Sequence, residues 1–380
     1  MKRFLIIISA LFIIISPAFS VEWGGVFNND SQGMLFEKDE LGFTQSNAVN
    51  FWVKTPVSKS NKWNLSTELQ YRYKLKAIPK SIDFLNILDL SLLKMSGSFD
   101  IAKNKVGISL GRFTISDSTF KIFNCKSDGA FLKFDFQRVL IDIYAGFTGL
   151  TNHLNNAGFL DSEGNLQSLE GDLYVFEKPY VPVILQIELP SLFANQSLSI
   201  QAFAAFDCSD VSNNKYYGTV DFSGPILASL FYKFSTTFGS QSFNNLMNYS
   251  SFLLMLFPNK FLSANFGVEY ASGNQLIFSN FRTVSSYSLS DIATIELTNS
   301  IIPSVGVGFT FGNLYAKFDV KCGLEFVNNS ISFNKVFGKL ITYYNVFSDF
   351  QLGLDVNALL NVENSFDNAF SVSLKGAFVF

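Results

Sequence analysis

The stretch NLSTELQYRYKLK (residues 64–76) alternates apolar and polar side chains. One set of alternate positions holds Leu65, Thr67, Leu69, Tyr71, Tyr73 and Leu75, and the other holds Asn64, Ser66, Glu68, Gln70, Arg72, Lys74 and Lys76. A period of two sustained over thirteen residues predicts a β-strand with one apolar and one polar face. The apolar face of such a strand packs against either a second sheet or lipid.

The same alternation returns in many other segments, such as FLKFDFQ (131–137), VILQIEL (183–189), LYAKFDVKCGLEF (314–326) and FQLGLDVNA (350–358). Periodicity and turn residues predict about 18 strands; 16 is the alternative, because the first and twelfth have the weakest pattern. The predicted strands are 22–28, 46–55, 63–77, 87–101, 105–117, 128–137, 138–149, 180–192, 195–208, 215–224, 226–239, 247–257, 260–273, 301–311, 313–326, 335–346, 350–362 and 370–380.

The composition separates this chain from ordinary soluble proteins and from helical membrane proteins. It contains 44 Phe residues, and only 16% of its residues are charged, whereas soluble domains average about 25%. Its mean hydropathy is +0.23, yet no apolar run after residue 20 is long enough for a spanning helix. Apolar residues spread over alternate strand positions account for both observations.

The predicted connections alternate between long and short. The longer set spans 29–45, 78–86, 118–127, 150–179, 209–214, 274–300, 327–334 and 363–369, and tight links such as 102–104, 193–194 and 258–259 lie between them. Even-stranded outer-membrane barrels have long extracellular loops and short periplasmic turns, with both termini inside. The sequence therefore predicts an all-β fold, a closed antiparallel transmembrane β-barrel of 16–18 strands with 18 preferred.

Residues 1–20 have the pattern of a secretory signal peptide. Lys2 and Arg3 precede an apolar run over residues 4–16, and Ala18 and Ser20 are small residues suited to a cleavage site. This segment holds two of the 28 Lys and Arg and none of the 31 Asp and Glu, so the remaining chain carries a net charge of −5. Without a basic run, nucleic acid is not an expected partner.

The last ten residues, SVSLKGAFVF, place Val372, Leu374, Gly376, Phe378 and Phe380 on one face. This segment resembles the terminal β-signal of outer-membrane barrels, in which a final aromatic residue is read by the barrel assembly machinery. The resemblance implies that Phe378 and Phe380 form an assembly signal. The plain alternative is a last strand that ends at the barrel rim.

A second resemblance lies in residues 110–150, which contain LGRFTISD, IFN, DGAFLKF and YAGFTGL. The order of a Gly-Arg strand end, a polar loop and an Asp-Gly strand start is similar to porin-type outer-membrane proteins. The resemblance covers about a tenth of the chain. It implies that Arg112 and Asp117 lie at the pore wall or mouth and that Asp128 opens the next strand.

No residue pattern supports catalysis, a metal site or a cofactor. The Asn-His pair at His153 superficially resembles outer-membrane phospholipases, but the nucleophile position holds Asn155, which has no hydroxyl. The acidic loop residues Asp161, Glu163, Glu170 and Asp172 match no calcium-loop spacing. The three cysteines, Cys125, Cys208 and Cys322, leave at least one thiol unpaired within the chain.

These observations predict that residues 21–380 form one porin-like barrel in the bacterial outer membrane for passive diffusion of small hydrophilic solutes. The polar strand faces then line the pore with charges of both signs. The predicted pore-lining residues are Glu68, Arg72, Lys74, Arg112, Lys133, Asp135, Asp142, Glu188, Lys233, Glu269, Lys317, Asp319, Lys321, Glu325 and Asp355.

Two alternatives and several partners remain open at this point. The chain could instead be a transporter of hydrophobic substrates, or a surface-exposed adhesin or structural barrel whose function lies in its loops. The expected partners are outer-membrane lipid, the barrel assembly machinery and small solutes, and the sequence does not decide between a monomer and a homo-oligomer.

The predicted loop at 150–179 is the longest connection, and structureless connections of this length are usually functional or disordered. It carries Leu166, Leu169, Leu173, Val175 and Phe176 among its acids. One hypothesis is that these anchors pack on the wall and that the acids narrow the pore opposite Arg72, Lys74 and Lys133. The other is an external flap.

Overall fold

The computed structural model describes residues 21–36, 40–57, 62–78, 81–167, 169–243, 245–273, 277–286, 297–327, 330–362 and 368–380. The predicted signal peptide lies outside these residues. The strands are β1 (Glu22–Phe36), β2 (Glu40–Pro56), β3 (Trp63–Ile78), β4 (Ser81–Ile101), β5 (Asn104–Ser116), β6 (Asn124–Asp135), β7 (Leu140–Phe147), β8 (Tyr180–Leu189), β9 (Ser197–Asp207), β10 (Lys215–Leu227), β11 (Leu230–Gln241), β12 (Asn245–Asn259), β13 (Leu262–Ala271), β14 (Ser300–Phe311), β15 (Leu314–Val327), β16 (Ser330–Asn345), β17 (Phe350–Asn361) and β18 (Ala369–Val379).

The eighteen strands close into one barrel. Each strand pairs antiparallel with its neighbours in sequence, and β1 pairs with β18 from Val26↔Val379 to Phe36↔Ala369. Closure satisfies the backbone N–H and C=O groups that lipid cannot satisfy. The predicted closed barrel and its preferred strand number are confirmed.

The stretch at residues 64–76 shows how the sequence sets the two faces of the barrel wall. In β3, Leu69 and Tyr71 are 42% and 46% exposed on the outer surface, whereas Gln70 between them is 8% exposed. Gln70, Arg72 and Lys74 line an interior cavity of about 320 Å³ together with Asp30 of β1. The apolar face of the stretch therefore looks outward and the polar face looks into the lumen.

Because the number of strands is even, the start of β1 and the end of β18 lie at the same end of the barrel, and we call the opposite end the distal end. Links at the end with the termini are short, such as 102–103, 228–229 and 260–261. The two longest connections, 148–179 and 272–299, both lie at the distal end. The alternation of connection lengths is thus present, although several distal links are also short.

The predicted long connection at 29–45 is wrong, because β1 and β2 run through it as a hairpin. The run NNDSQG has the composition of a loop. In the barrel, its side chains pair across the two strands instead: Asn29 Nδ2 donates to Asn47 Oδ1 at 2.7 Å, and Ser31 Oγ donates to Gln45 Oε1 at 2.6 Å. Tertiary pairing overrides the local preference.

An aromatic cluster fills part of the distal lumen. Phe159 of the 148–179 connection is fully buried and stacks on Tyr180 with ring centroids 4.6 Å apart. Phe123 packs against Phe203 at 5.2 Å, and Phe281 of the 272–299 connection stacks on Tyr249 at 5.5 Å. Hydrophobic burial of Phe123, Phe159 and Phe281 therefore holds the described parts of their three connections inside the barrel.

Candidate functional site in the barrel lumen

Strand β5 separates from β4 at Gly111, and this opens a gap in the distal part of the wall. The pairing of β4 with β5 ends at Leu93↔Arg112, although β4 begins at Ser81 near the distal end. Gly111 has φ +114°, and a Cβ there would lie 2.0 Å from the carbonyl oxygen of Leu93. Because only glycine fits this backbone, the bend is specified by Gly111.

Residues 172–176, here called the strap, complete the wall where β5 has left β4. The N–H of Leu173 donates to the carbonyl oxygen of Asn86 at 2.7 Å, and its own carbonyl accepts from the N–H of Leu88 at 2.8 Å. Asp172 Oδ1 accepts from the N–H of Asn86 at 2.8 Å, and this bond lowers the pKa of the carboxyl group. The strap thus satisfies an otherwise open strand edge.

Arg112 fastens the strap to the hairpin that β5 and β6 form. Its guanidinium donates to both carboxylate oxygens of Asp128 at 3.0 and 2.8 Å, to the Tyr174 hydroxyl at 3.1 Å and to the Leu150 carbonyl at 2.6 Å. Arg112 is only 7% exposed, and Leu93, its cross-strand neighbour on the same face, is 41% exposed on the outer surface. The structure therefore places Arg112 outside the lumen, which corrects the prediction that it lines the pore.

On the inner side, Asp89 joins the 148–179 connection to the wall. Its fully buried carboxylate accepts from Lys126 Nζ at 2.5 Å and from Asn155 Nδ2 at 2.7 Å. Asn155 also donates to Gln70 Oε1 at 2.5 Å. Asp89 was not among the predicted site residues, although the alternation in β4 indicates its inward position. Lys126 was not among them because it falls in the predicted connection 118–127.

Residues 117–123, here called the inner loop, are shaped around Asp117. The carboxylate accepts from the N–H groups of Ile122 at 3.0 Å, Phe123 at 2.8 Å and Thr119 at 2.8 Å, and from the Thr119 hydroxyl. Asp117 is 1% exposed, and burial raises the pKa of its carboxyl group despite these donors. Asp117 therefore holds the shape of the loop and is not open to solvent.

The inner loop crosses the lumen to the opposite wall. The N–H of Ser118 donates to Gln201 Oε1 of β9 at 3.0 Å, and Lys233 Nζ of β11 donates to the Ser118 carbonyl at 3.1 Å. Lys121 Nζ lies 3.4 Å from a carboxylate oxygen of Glu269 on β13. These contacts fix the inner loop as a partition inside the barrel.

Two cavities of opposite charge lie on the two sides of this partition. The basic cavity, of about 360 Å³, is lined by Lys121, Lys233, Lys317, Lys321 and Lys339, with Glu269 and Asp319 as its acids. The acidic cavity, of about 380 Å³, is lined by Asp117, Asp142, Glu188 and Asp221, with Lys233 as its cation. Opposite charges therefore line the two cavities beside the inner loop, an arrangement that favours a transverse electric field in this part of the lumen.

Most residues predicted to line the pore are engaged with neighbouring side chains. The ion pairs are Lys133–Asp142 at 3.9 Å, Lys317–Asp319 at 2.8 Å, Lys321–Glu269 at 3.5 Å and Lys375–Asp355 at 2.6 Å. Glu325 accepts from Asn334 Nδ2 at 2.5 Å, Asp135 accepts from the N–H of Gln137, and Glu68 is half-buried in β3. Asp221, Lys121 and Lys339 line the cavities but were missing from the prediction.

The side chains of the 148–179 connection pack differently from the prediction. Leu166, Leu173 and Phe176 are 59%, 46% and 64% exposed, so the prediction that they anchor on the wall is wrong. The buried contacts are made by Phe159 and by the polar links of Asn155 described above. Several of the acids instead accept from nearby groups: Asp161 from the N–H groups of residues 163 and 165, and Glu177 from His153.

Solved structures share this fold over nearly the full chain. OccK2 (OpdF) of Pseudomonas aeruginosa has 10% sequence identity and a TM-score of 0.66, covering 95% of this chain and 98% of that one. OccK7 (OpdD) of the same organism has 8% identity and a TM-score of 0.65, with 95% and 99% covered. OccAB4 of Acinetobacter baumannii has 12% identity and a TM-score of 0.60, with 95% and 98% covered.

At 8–12% identity these similarities show the fold alone, and that fold agrees with the predicted porin-like barrel. No family model and no curated protein matches the sequence. Among the described residues, no three His, Cys, Asp or Glu side chains are grouped to hold a metal ion. The described part of the chain likewise contains no helix long and apolar enough to cross a membrane.

Proposed function

We propose that this protein is an outer-membrane channel for passive diffusion of small hydrophilic solutes. The observation that carries this proposal is the pair of polar, oppositely charged cavities beside the inner loop, within the lumen of a closed barrel. Each cavity is large enough for a small solute. The apolar outer face contacts lipid, and the charged inner face replaces part of the hydration shell of a passing solute.

The alternatives have less support. A hydrophobic substrate needs an apolar route, whereas these two cavities are lined largely by lysines, carboxylates and hydroxyls. An enzymatic role has no supporting constellation around His153, whose ring is held between Glu177 at 2.9 Å and the N–H of Leu169 at 3.4 Å. Neither contact supplies a nucleophile.

The test is single-channel recording with residues 21–380 refolded into planar bilayers in KCl. We expect stepwise, ohmic conductance that persists without any added ligand. A double substitution of Lys121 and Lys233 by Ala should change the ratio of cation to anion permeability, because Lys121 lies in the partition and Lys233 donates to it, and both line the basic cavity. Insertion of folded protein without any conductance would overturn the channel proposal.

A further inference from the structure

The acidic cavity has more carboxylates than the protein neutralises. Asp117 is satisfied by the inner loop itself, which leaves Asp142, Glu188 and Asp221 facing the space. The nearest partner of Asp142 is Lys133 at 3.9 Å, whose side chain is 48% exposed, so this pair is weak. Glu188 accepts one long hydrogen bond, 3.4 Å from Ser197 Oγ.

Two deeply buried polar groups in the same cavity lack partners. Ser199 is 8% exposed, and its hydroxyl makes no hydrogen bond with any described residue. Asp221 is 6% exposed; one of its oxygens accepts from Ser235, and Oδ2 has no partner among the described residues. Because a buried polar group without a hydrogen-bond partner is unfavourable, these two groups favour a ligand with N–H donors at this wall of the cavity.

The register of the sheet defines the shape of that donor. Glu188, Ser199 and Asp221 are direct cross-strand neighbours on β8, β9 and β10. Adjacent strands lie about 4.8 Å apart, so the backbones at Glu188 and Asp221 are roughly 10 Å apart. A single metal ion does not span such a row, whereas an organic cation with separate N–H donors does.

We propose that the acidic cavity is a binding subsite for small organic cations that carry primary amines, of which an aliphatic diamine is the simplest. Asp221 Oδ2 and Ser199 Oγ have almost no accessible surface in the free barrel, so binding includes a rotation of these two side chains toward the cavity. One ammonium group then donates to both atoms, and the second donates to Glu188. This inference rests on the proposed channel function, and it names one class of solute that the channel selects.

The experiment measures binding of 1,4-diaminobutane to the full barrel in detergent by isothermal titration calorimetry. We expect saturable binding that Asp221→Asn and Glu188→Gln each weaken about tenfold, because each removes one charge-assisted hydrogen bond. Ser199→Ala changes no charge, and it should weaken binding by a smaller factor. Glu22→Gln, which alters the surface pair of Glu22 with Lys54, should leave binding unchanged.

Heat-modifiable migration on gels confirms that each variant is folded before binding is compared. The subsite is overturned if the native barrel does not bind the diamine. It is also overturned if Asp221→Asn, Glu188→Gln and Ser199→Ala all bind the diamine with the native affinity. Bilayer recordings separate this outcome from failure of the channel. KCl conductance without diamine binding leaves the channel standing and removes the subsite, whereas diamine binding without conductance keeps the subsite and removes the channel.

Discussion

Gly111 is the residue at which the wall departs from a regular barrel. We expect Gly111→Ala to destabilise the folded barrel by at least about 1–3 kcal/mol, because a side chain at φ +114° is strained and its Cβ overlaps the Leu93 carbonyl. The measurement is urea unfolding of the barrel in lipid vesicles. Gly218→Ala is the matched control, since a Cβ at Gly218 meets nothing within 4 Å. Equal midpoints for the two variants would contradict the assigned role of Gly111.

His153 provides a direct test of the geometry of the 148–179 connection. Its hydrogen bond to Glu177 raises the pKa of the imidazole above the ordinary 6.5, and burial partly offsets this. The pKa of His153 is therefore higher in the folded protein than in the unfolded chain. The ion pair of His153 with Glu177 stabilises the connection fully below about pH 6.5, and this stabilisation is lost as the pH rises through the folded pKa. Since His153 is the one histidine in the chain, NMR titration of a single imidazole measures it.

The control for this titration is Glu177→Gln, which removes the charge and keeps the size of the side chain. We expect the pKa of His153 to fall toward 6.5 in this variant. A native pKa at or below that value, or no response to the substitution, would show that the two side chains are not paired.

At the residue scale, the face on which a side chain lies could be predicted where polar and apolar residues alternate, and the prediction was wrong where the backbone bends. Gln70, Arg72 and Lys74 lie on the face that the period of two predicted. Arg112 lies outside the lumen, where its guanidinium pairs with Asp128 of the neighbouring strand and also donates to Tyr174 of the strap, 62 residues away in sequence. No local pattern contains such a contact.

At the scale of elements, the strap has a further contact from one buried side chain, that of Asn152. Asn152 is fully buried; its Nδ2 donates to the carbonyls of Leu88 at 2.9 Å and Leu173 at 3.1 Å, and its Oδ1 accepts from Val175 N–H at 3.1 Å. We expect Asn152→Ala to weaken the strap locally by about 1–3 kcal/mol. Faster hydrogen exchange at residues 86–88 and 173–175, measured by mass spectrometry, would show this release.

Asn165→Ala is the matched control for the strap, because Asn165 lies in an exposed turn of the same connection. It should leave exchange at residues 86–88 at the native rate. If both variants accelerate exchange at β4 equally, the strap is not held by Asn152, and the wall there is closed in another way.

At the scale of the whole molecule, the closed barrel could be predicted from the sequence because most strands carry their own period-two pattern. The lumen could not be predicted in the same way. The inner loop and the described parts of connections 148–179 and 272–299 meet inside the barrel. Contacts such as the N–H of Asn124 donating to Ser285 Oγ at 3.1 Å join residues far apart in the chain. Their mutual packing depends on barrel closure, which composition does not encode.

The C-terminal residue, Phe380, lies at the seam where β18 meets β1, and it is also predicted to be part of an assembly signal. The backbone of Phe380 exchanges two hydrogen bonds with Gly25, at 2.8 and 3.0 Å, and its ring is 53% exposed beside Phe378. Phe380→Ala keeps both backbone bonds and removes only the ring, so folded stability should change by less than about 1 kcal/mol. Deletion of Phe380 removes the ring and the bonds together.

If the terminal aromatic is an assembly signal, Phe380→Ala and the deletion should reduce outer-membrane levels alike and leave protein in the periplasm, because both lack the ring. If the residue serves only the seam, Phe380→Ala should assemble normally and the deletion alone should fail. Cell fractionation with an envelope-stress reporter distinguishes the two outcomes, and unfolding of the refolded variants in vesicles shows whether stability has changed. Normal outer-membrane levels of Phe380→Ala would contradict the signal and assign Phe380 to closure of the barrel.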